Sequence, residues 1–196
     1  MRIVGITGPS GSGKTDLTEY FAQRGIPTID ADELYHSMLV PPSACLDEIA
    51  NVFGNSVINN NGTLNRSMLS SIVFNNPEKL QLLNNTVLKL VIQKTRQLIS
   101  EYEEKGHRII IIDAPTLIES GFNKECDVVI SVISNKSFRV KRIAQRDGIS
   151  ESKALERVNA QKDDIFYESH SNHVIRNDGT KQQFIDSLSS LEYLFQ

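Results

Sequence analysis

Short apolar runs alternate along the chain with longer amphipathic stretches. The runs predict buried strands, which we expect at residues 2–7, 26–29, 109–112, 127–133 and 173–176. The third run consists of four isoleucines, as expected of a parallel strand that is buried on both faces. Strands separated by helical segments predict an α/β fold with a parallel sheet.

Apolar residues spaced three or four positions apart predict helices in the stretches between the runs. The helices are expected at residues 13–24, in several pieces between 33 and 102, at 136–146 and 151–161, and at the end of the chain. Within the long helical stretch, Ser43 and either Thr63 or Asn65 are candidate N-caps, and Pro77 is suited to the first turn of a helix. The sequence therefore predicts a helical insertion after the second strand.

Residues 8–15 carry the strongest chemical signal. They run Gly-Pro-Ser-Gly-Ser-Gly-Lys-Thr and fill every fixed position of the phosphate-binding pattern G-x-x-x-x-G-K-S/T, between a predicted strand and a predicted helix. Glycines allow the tight backbone that such a loop needs, and the helix N-terminus offers N–H groups to an anion. The predicted nucleotide-binding residues are Gly8, Ser10, Gly11, Ser12, Gly13, Lys14 and Thr15.

Two oxygen donors are candidates for holding Mg²⁺ beside the nucleotide. The Thr15 hydroxyl occupies the position that holds the metal in such loops, while the Lys14 ammonium reaches the β- and γ-phosphates. Asp113 follows the isoleucine strand, as a metal-holding carboxylate does in P-loop proteins. The alternative for Asp113 is a structural role at the end of that strand.

Asp32 is the candidate general base. It follows the second strand, and ligands of open α/β sheets bind at the carboxyl ends of the strands. The alternative is a helix N-cap without catalytic function, and Asp30 has the same two interpretations. His36 lies four residues after Asp32, on the same helix face, and is a candidate for the acceptor site.

Three arginines share one face of the predicted helix 136–146, namely Arg139, Arg142 and Arg146. A basic face of this kind suits a lid that closes over a triphosphate and excludes water. We predict catalytic roles for Arg142 and Arg146, together with Lys14 of the loop. The alternative is a solvated charged helix.

Composition narrows the class of protein further. The 196 residues are 39% hydrophobic and 23% charged, with a net charge of −3. Since no run of lysine and arginine is present, nucleic acid is not an expected partner. No apolar run has the length of a membrane span, and Cys45 and Cys126 lack metal-type spacing. We expect a cytoplasmic protein with free thiols and no membrane partner, and nothing in the sequence indicates its oligomeric state.

The motifs and the order of elements together predict one P-loop kinase domain over residues 1–196. It would be a three-layer α/β fold of the P-loop NTPase type, with a parallel sheet. Residues 33–105 would form an inserted helical subdomain that binds the acceptor. Residues 136–168 would form the lid.

The ordered set of motifs resembles the dephospho-coenzyme A kinase family over nearly the whole chain. The resemblance rests on the segments at 25–32, 53–54 and 62–66, on Leu69, 73–74 and Pro77, on 83–84, on 113–115 with Leu117 and Glu119, on Arg157 with Gln161, and on 174–175 with 177–179. It implies that ATP, with Mg²⁺, phosphorylates the ribose 3′-hydroxyl of dephospho-coenzyme A. It also implies that Asp32 is the general base.

The resemblance further implies two groups of binding residues. Those for the acceptor are Asp32, His36, Arg66, Asp113 and Pro115. Those for the nucleotide include Asn177 and Gly179 in addition to the loop.

The chain departs from the family pattern where the acceptor and the lid are expected. Val87-Leu88-Lys89 replaces the usual Leu-His-Pro, and Phe166 and Tyr167 stand where a basic residue is typical. The phosphate loop also differs from the usual family loop, at Pro9, Ser10 and Thr15. Two alternatives therefore stay open: a related kinase for a nucleotide or nucleoside acceptor, and a nucleotide-binding paralogue without catalysis.

Overall fold

A five-stranded sheet lies at the centre of the fold. In this computed structural model, which describes residues 1–195, the strands are β1 (Arg2–Thr7), β2 (Thr28–Asp30), β3 (Ile109–Asp113), β4 (Val128–Ile133) and β5 (His173–Arg176). Their order across the sheet is β2-β3-β1-β4-β5. β1 pairs in parallel with β3 and with β4, and β4 pairs in parallel with β5.

The parallel register brings the carboxyl ends of the central strands to one edge. Ile6 pairs with Asp113, and Thr7 pairs with Ser131. The residues that follow β1, β3 and β4 consequently leave the sheet on the same side. In open α/β sheets this edge carries the ligand sites.

Nine α-helices lie between and after the strands in the chain, within the described residues. They are α1 (Lys14–Ala22), α2 (Ala31–Met38), α3 (Ala44–Phe53), α4 (Arg66–Val73), α5 (Pro77–Glu104), α6 (Lys136–Asp147), α7 (Glu151–Asn159), α8 (Asp164–Ser169) and α9 (Lys181–Leu188), within the described residues 1–195. Three 3₁₀ segments, Asn55–Val57, Phe122–Glu125 and Ser189–Phe195, complete the order over the same residues. Ser43 caps α3 and Asn65 caps α4 through their side chains, and Pro77 opens α5, as predicted.

The sheet is buried on both faces. On one face, alternate residues such as Val4, Ile111 and Ile130 pack with Leu17 of α1 and Phe184 of α9. On the other face, Ile133 packs with Ile118 and with Tyr167 of α8. Helices on both sides of a parallel sheet form three layers, which confirms the predicted fold class.

The chain divides into two compact units. The first contains residues 1–29 and 102–195, and the second contains residues 30–101. The second unit has its own apolar core, in which Cys45, Leu46 and Ile49 of α3 pack with Leu69 and Val73 of α4. Residues of α5, among them Leu83 and Val87, pack against that core. The helices of this unit therefore bury their apolar faces against one another.

Several element boundaries differ from the sequence prediction: β3, β4 and α6 differ by one residue at one end, and α7 ends two residues earlier, at Asn159. α1 begins at Lys14 because Gly13 has φ of 106°, outside the helical region, and it ends at Ala22. β2 begins at Thr28 because the N–H of Ile26 donates back to Phe21 at the end of α1. α8 was not predicted. Its signal is Asp163, which caps the helix by accepting a hydrogen bond from the N–H of Phe166.

Two remaining expectations concern thiols and membranes. Cys45 and Cys126 are both free thiols, as predicted. Among residues 1–195, no helix is both long enough and apolar enough to cross a bilayer.

Candidate active site

The phosphate loop connects β1 to α1 and is held close to neighbouring backbone. Gly8, Gly11 and Gly13 have φ of 136°, 77° and 106°, in the region that favours glycine. A Cβ on Gly8 would lie 2.1 Å from the carbonyl oxygen of Val132, and one on Gly13 would lie 2.2 Å from Nδ2 of Asn177. Only glycine fits at these two positions.

Several features of the loop fit a polyphosphate. The glycines form a cradle that a side chain would fill, and the N-cap of α1 is Gly13, which offers no side chain to the first-turn N–H groups. The Ser12 hydroxyl is fully buried and has no hydrogen-bond partner among residues 1–195. The Lys14 ammonium lies over the loop and donates to the carbonyl oxygens of Gly8, at 2.8 Å, and Pro9, at 3.4 Å.

Oxygen donors that suit Mg²⁺ occur at two positions of the same unit. Thr15 is exposed in the first turn of α1, and Asp113 is a buried carboxylate at the last position of β3. Hydroxyl and carboxylate oxygens are ligands that Mg²⁺ accepts. The segment after Asp113 is held beside the end of β1, because the Thr7 hydroxyl donates to the carbonyl of Pro115 at 3.3 Å. The metal roles of Thr15 and Asp113 stay predictions.

Arg139 and Gln161 form hydrogen bonds with the peptide groups of Ser10. Arg139 is 2% exposed, and its Nε donates to the Ser10 carbonyl at 3.1 Å. The Ser10 N–H donates to Oε1 of Gln161 at 3.2 Å, and the Arg139 guanidinium donates to the same oxygen. Burial lowers the pKa of Arg139. Through its hydrogen bond to the Ser10 carbonyl, Arg139 anchors the loop to α6.

Arg142 and Asn177 bind the next two residues of the loop. Arg142 donates to the carbonyls of Gly11 and Ser12, at 3.2 and 3.4 Å, and to the carbonyl and side-chain oxygens of Asn177, both at 3.0 Å. Asn177 in turn donates to Ser12 at 2.8 Å. The buried Ser134 hydroxyl donates to the Asn177 carbonyl at 2.6 Å and accepts from Arg142. Sequence reasoning missed Ser134, because a serine after a buried strand carries no local signal.

Replacing Arg142 by alanine should destabilise both the fold and the loop. The carbonyls of Gly11, Ser12 and Asn177 would lose a charged donor, and we expect the free energy of unfolding to fall by about 1–3 kcal/mol. The affinity for ATP should fall as well, since the loop is no longer held in shape. Urea denaturation and calorimetric titration measure the two effects. Lys141→Ala, at the adjacent exposed position, is the matched control. Equal behaviour of the two variants would contradict this role.

Arg146 occupies the end of α6 and is exposed. Its Nε binds Asp147 at 2.7 Å, and Arg157 of α7 binds the same carboxylate at 2.6 Å. The hydrogen bond from Arg146 lowers the pKa of Asp147, so the carboxylate stays charged and links the two helices. A longer contact of 3.5 Å joins Arg146 to the Ser10 hydroxyl. The catalytic roles of Arg142 and Arg146 stay predictions.

The segment between β5 and α9 places Asn177 against the loop and Gly179 in a turn. Asp178 accepts a hydrogen bond from the N–H of Asn135 at 2.6 Å, and Thr180 caps α9. Asn177 thus contacts the loop through its side chain, whereas Gly179 is exposed. Their predicted contact with the nucleotide stays a prediction.

In the second unit, the structure separates the roles of the two aspartates. Asp30 is the N-cap of α2, and its carboxylate accepts from the N–H groups of Asp32 and Glu33, at 2.8 and 2.9 Å. The Asp32 carboxylate is exposed and makes no side-chain hydrogen bond or ion pair within residues 1–195. The capping alternative therefore applies to Asp30. His36 and Arg66 are also exposed in this unit.

A parallel sheet whose first strand runs through a glycine loop into a helix, with a lysine over the loop, defines a P-loop kinase fold. A family model described as dephospho-CoA kinase matches residues 2–183. The chain belongs to this family of phosphotransferases, which act on an alcohol group.

Individual relatives agree with the family match. A dephospho-CoA kinase of Dehalococcoides mccartyi is 37% identical over 177 residues, which cover 90% of this chain and 89% of the relative. The crystal structure of a Thermus thermophilus protein is similar with a TM-score of 0.79 at 26% identity, covering 100% of this chain and 98% of that one. A dephospho-CoA kinase from Campylobacter jejuni shares the fold, with a TM-score of 0.71 at 23% identity, covering 98% and 96% of the two chains.

Proposed function

We propose that the chain transfers the γ-phosphate of ATP to the ribose 3′-hydroxyl of dephospho-coenzyme A, the last step of coenzyme A synthesis. A bond forms between the 3′-oxygen and the γ-phosphorus, and the bond from that phosphorus to the β,γ-bridging oxygen breaks. ADP leaves with the electron pair. The loop carries the proposal, because its cradle and the Lys14 ammonium suit the phosphates of a nucleotide.

Nucleotide binding would use the loop amides together with Lys14. Bound Mg²⁺, held by Thr15 and Asp113, would neutralise charge on the phosphates. The nucleotide would extend towards Asn177 and Gly179, and Arg142 and Arg146 would supply positive charge next to the loop. Arg142 already donates to the carbonyls of Gly11 and Ser12. A small shift of its guanidinium would move these hydrogen bonds from the carbonyls to a phosphate oxygen.

The acceptor would be oriented by Asp32, which takes the proton of the 3′-hydroxyl. Its support is that Asp30 already supplies the cap of α2, while the Asp32 carboxylate is exposed at the start of that helix. His36, Arg66 and Pro115 would contact other parts of the acceptor. The inserted helices, residues 33–105, would form the acceptor-binding part, and residues 136–168 would form the lid. We assign the reaction to the cytoplasm, where free thiols such as Cys45 persist.

An acceptor comparison tests this function. The purified chain is incubated with Mg·ATP and, in separate reactions, dephospho-coenzyme A, adenosine, AMP and CMP, and ADP release is followed. We expect dephospho-coenzyme A to give the highest kcat/KM. Faster phosphorylation of one of the other acceptors would favour the nucleotide or nucleoside kinase. ATP binding without product from any acceptor would favour the paralogue without catalysis.

A further inference from the structure

A cavity of about 210 Å³ lies against the phosphate loop, within the first unit. Its walls come from four segments: the loop, the residues after β3, the residues after α7, and Tyr167 of α8. The lining includes Gly8 and Pro9, Thr116 and Glu119, and Gln161 and Lys162. The Lys14 ammonium is hydrogen-bonded to the carbonyls of Gly8 and Pro9. The cavity therefore adjoins the part of the loop where the phosphates are expected.

Four arginines of α6 and α7 are engaged with protein groups. Arg139 and Arg142 donate to loop carbonyls, and Arg146 and Arg157 bind Asp147. Arg139 and Arg142 are thereby held against the loop backbone, and Arg146 and Arg157 are held at Asp147. A different cation is therefore needed to face the phosphates from the cavity.

Lys162 differs from these arginines. It is exposed, it lines the cavity, and it makes no ion pair within residues 1–195. Its Nζ lies 5.4 Å from the centre of the Phe166 ring, so an aromatic face supports the ammonium without neutralising it. The preceding residue, Gln161, is fixed to the Ser10 N–H, which holds the start of the side chain beside the loop.

The charged side chains in the lining are Glu119 and Lys162, so Lys162 is the lining residue that supplies the positive charge an anion needs. Burial, with Glu119 as a second cause, raises the pKa of Tyr167 to about 12, so this lining phenol is neutral at neutral pH. Glu119 is the acidic residue in the lining. An ammonium on a flexible stem adapts to an oxygen whose charge changes during transfer.

We propose that Lys162 is a further phosphate-contacting residue, whose ammonium binds the non-bridging oxygens of the γ-phosphoryl group from the cavity side. The proposal rests on the proposed function for the identity of the donor, ATP. A cation at this place would stabilise the transition state more than the enzyme–ATP complex before transfer, because charge on the transferred phosphoryl group is redistributed in the transition state. Lys162 would thus complement Lys14, which approaches from the loop.

Binding measurements test this proposal without relying on the acceptor. The dissociation constants of ADP and of a non-hydrolysable ATP analogue are determined by calorimetry for the wild type, Lys162→Ala, Lys162→Arg and the control Lys153→Ala, which changes an exposed lysine of α7. We expect Lys162→Ala to weaken the ATP analogue on the order of tenfold and to leave ADP unchanged, whereas Lys162→Arg retains most of the affinity. Unchanged binding of the analogue, or equal weakening of both nucleotides, would overturn the proposal.

Turnover of dephospho-coenzyme A provides the second readout. In Lys162→Ala, kcat/KM should fall roughly 10²-fold, the cost of removing one transition-state donor, with partial recovery in Lys162→Arg. An unchanged kcat/KM would contradict the role of Lys162. If the wild type forms no coenzyme A while Lys162→Ala still discriminates against the ATP analogue, the proposed acceptor is wrong and the phosphate contact stands.

Discussion

We expect Asp32→Asn to lower the turnover number by roughly 10²- to 10⁴-fold and to leave the affinity for ATP unchanged, because the substitution removes the proposed general base. The amide has the shape of the carboxylate but cannot accept the proton of the acceptor hydroxyl. The fold should tolerate the change, because the cap of α2 is Asp30 and the Asp32 side chain is exposed. Steady-state kinetics give the turnover number, and calorimetry gives the ATP affinity.

Glu33→Gln is the matched control for that substitution. Glu33 is the next residue of α2, is likewise exposed, and has its N–H bound to the same Asp30 cap. We expect turnover of Glu33→Gln to stay within about twofold of the wild type, since a surface change of this kind perturbs little. If Asp32→Asn and Glu33→Gln have the same turnover, Asp32 is not the base.

Gly8→Ala should have the largest effect on stability. Its Cβ would lie 2.1 Å from the carbonyl oxygen of Val132 in β4, and a main-chain atom of a central strand has little room to move. Its φ of 136° is also strained for alanine. Together the overlap and the strain should lower the free energy of unfolding by about 3–5 kcal/mol. ATP binding should be lost with it, because the loop leaves its cradle shape.

Gly25→Ala separates steric overlap from backbone strain, the two causes of the lower stability expected for Gly8→Ala. Gly25 also has positive φ, at 80°, but a Cβ there meets no atom within 4 Å. Only the backbone strain remains, and we expect a loss of about 1–2 kcal/mol with normal ATP binding. Urea denaturation of both variants gives the comparison. Similar losses in Gly8→Ala and Gly25→Ala would show that contact with β4 contributes nothing.

Short sequence patterns correctly predict those elements whose ends are determined by neighbouring residues in the chain. β1 and β5 have the predicted bounds, since each is a short run ended by a clear turn signal. The caps at Ser43 and Asn65 were visible as polar residues just before amphipathic stretches. The phosphate loop was visible because glycine spacing and lysine position are fixed by the contacts that a phosphate needs.

Long-range contacts could not be predicted in the same way. The spacing of Arg139, Arg142 and Arg146 indicates one helix face, but it does not say whether that face meets a ligand or the backbone of the loop. Arg139 contacts Ser10 across 129 residues of chain, and Asn177 contacts Ser12 across 165. Such pairings depend on the order of strands in the sheet. The sequence therefore predicted the loop but not the side chains that hold it.

The central claim, phosphorylation of the 3′-hydroxyl of dephospho-coenzyme A, is tested most directly by the product. The chain is incubated with Mg·ATP and either dephospho-coenzyme A or its 3′-deoxy analogue, and the products are analysed by mass and by phosphorus NMR. Our account predicts coenzyme A with a 3′-phosphomonoester from the first substrate and no phosphorylated product from the second. Phosphorylation of the deoxy analogue, or no coenzyme A despite ATP binding, would contradict it.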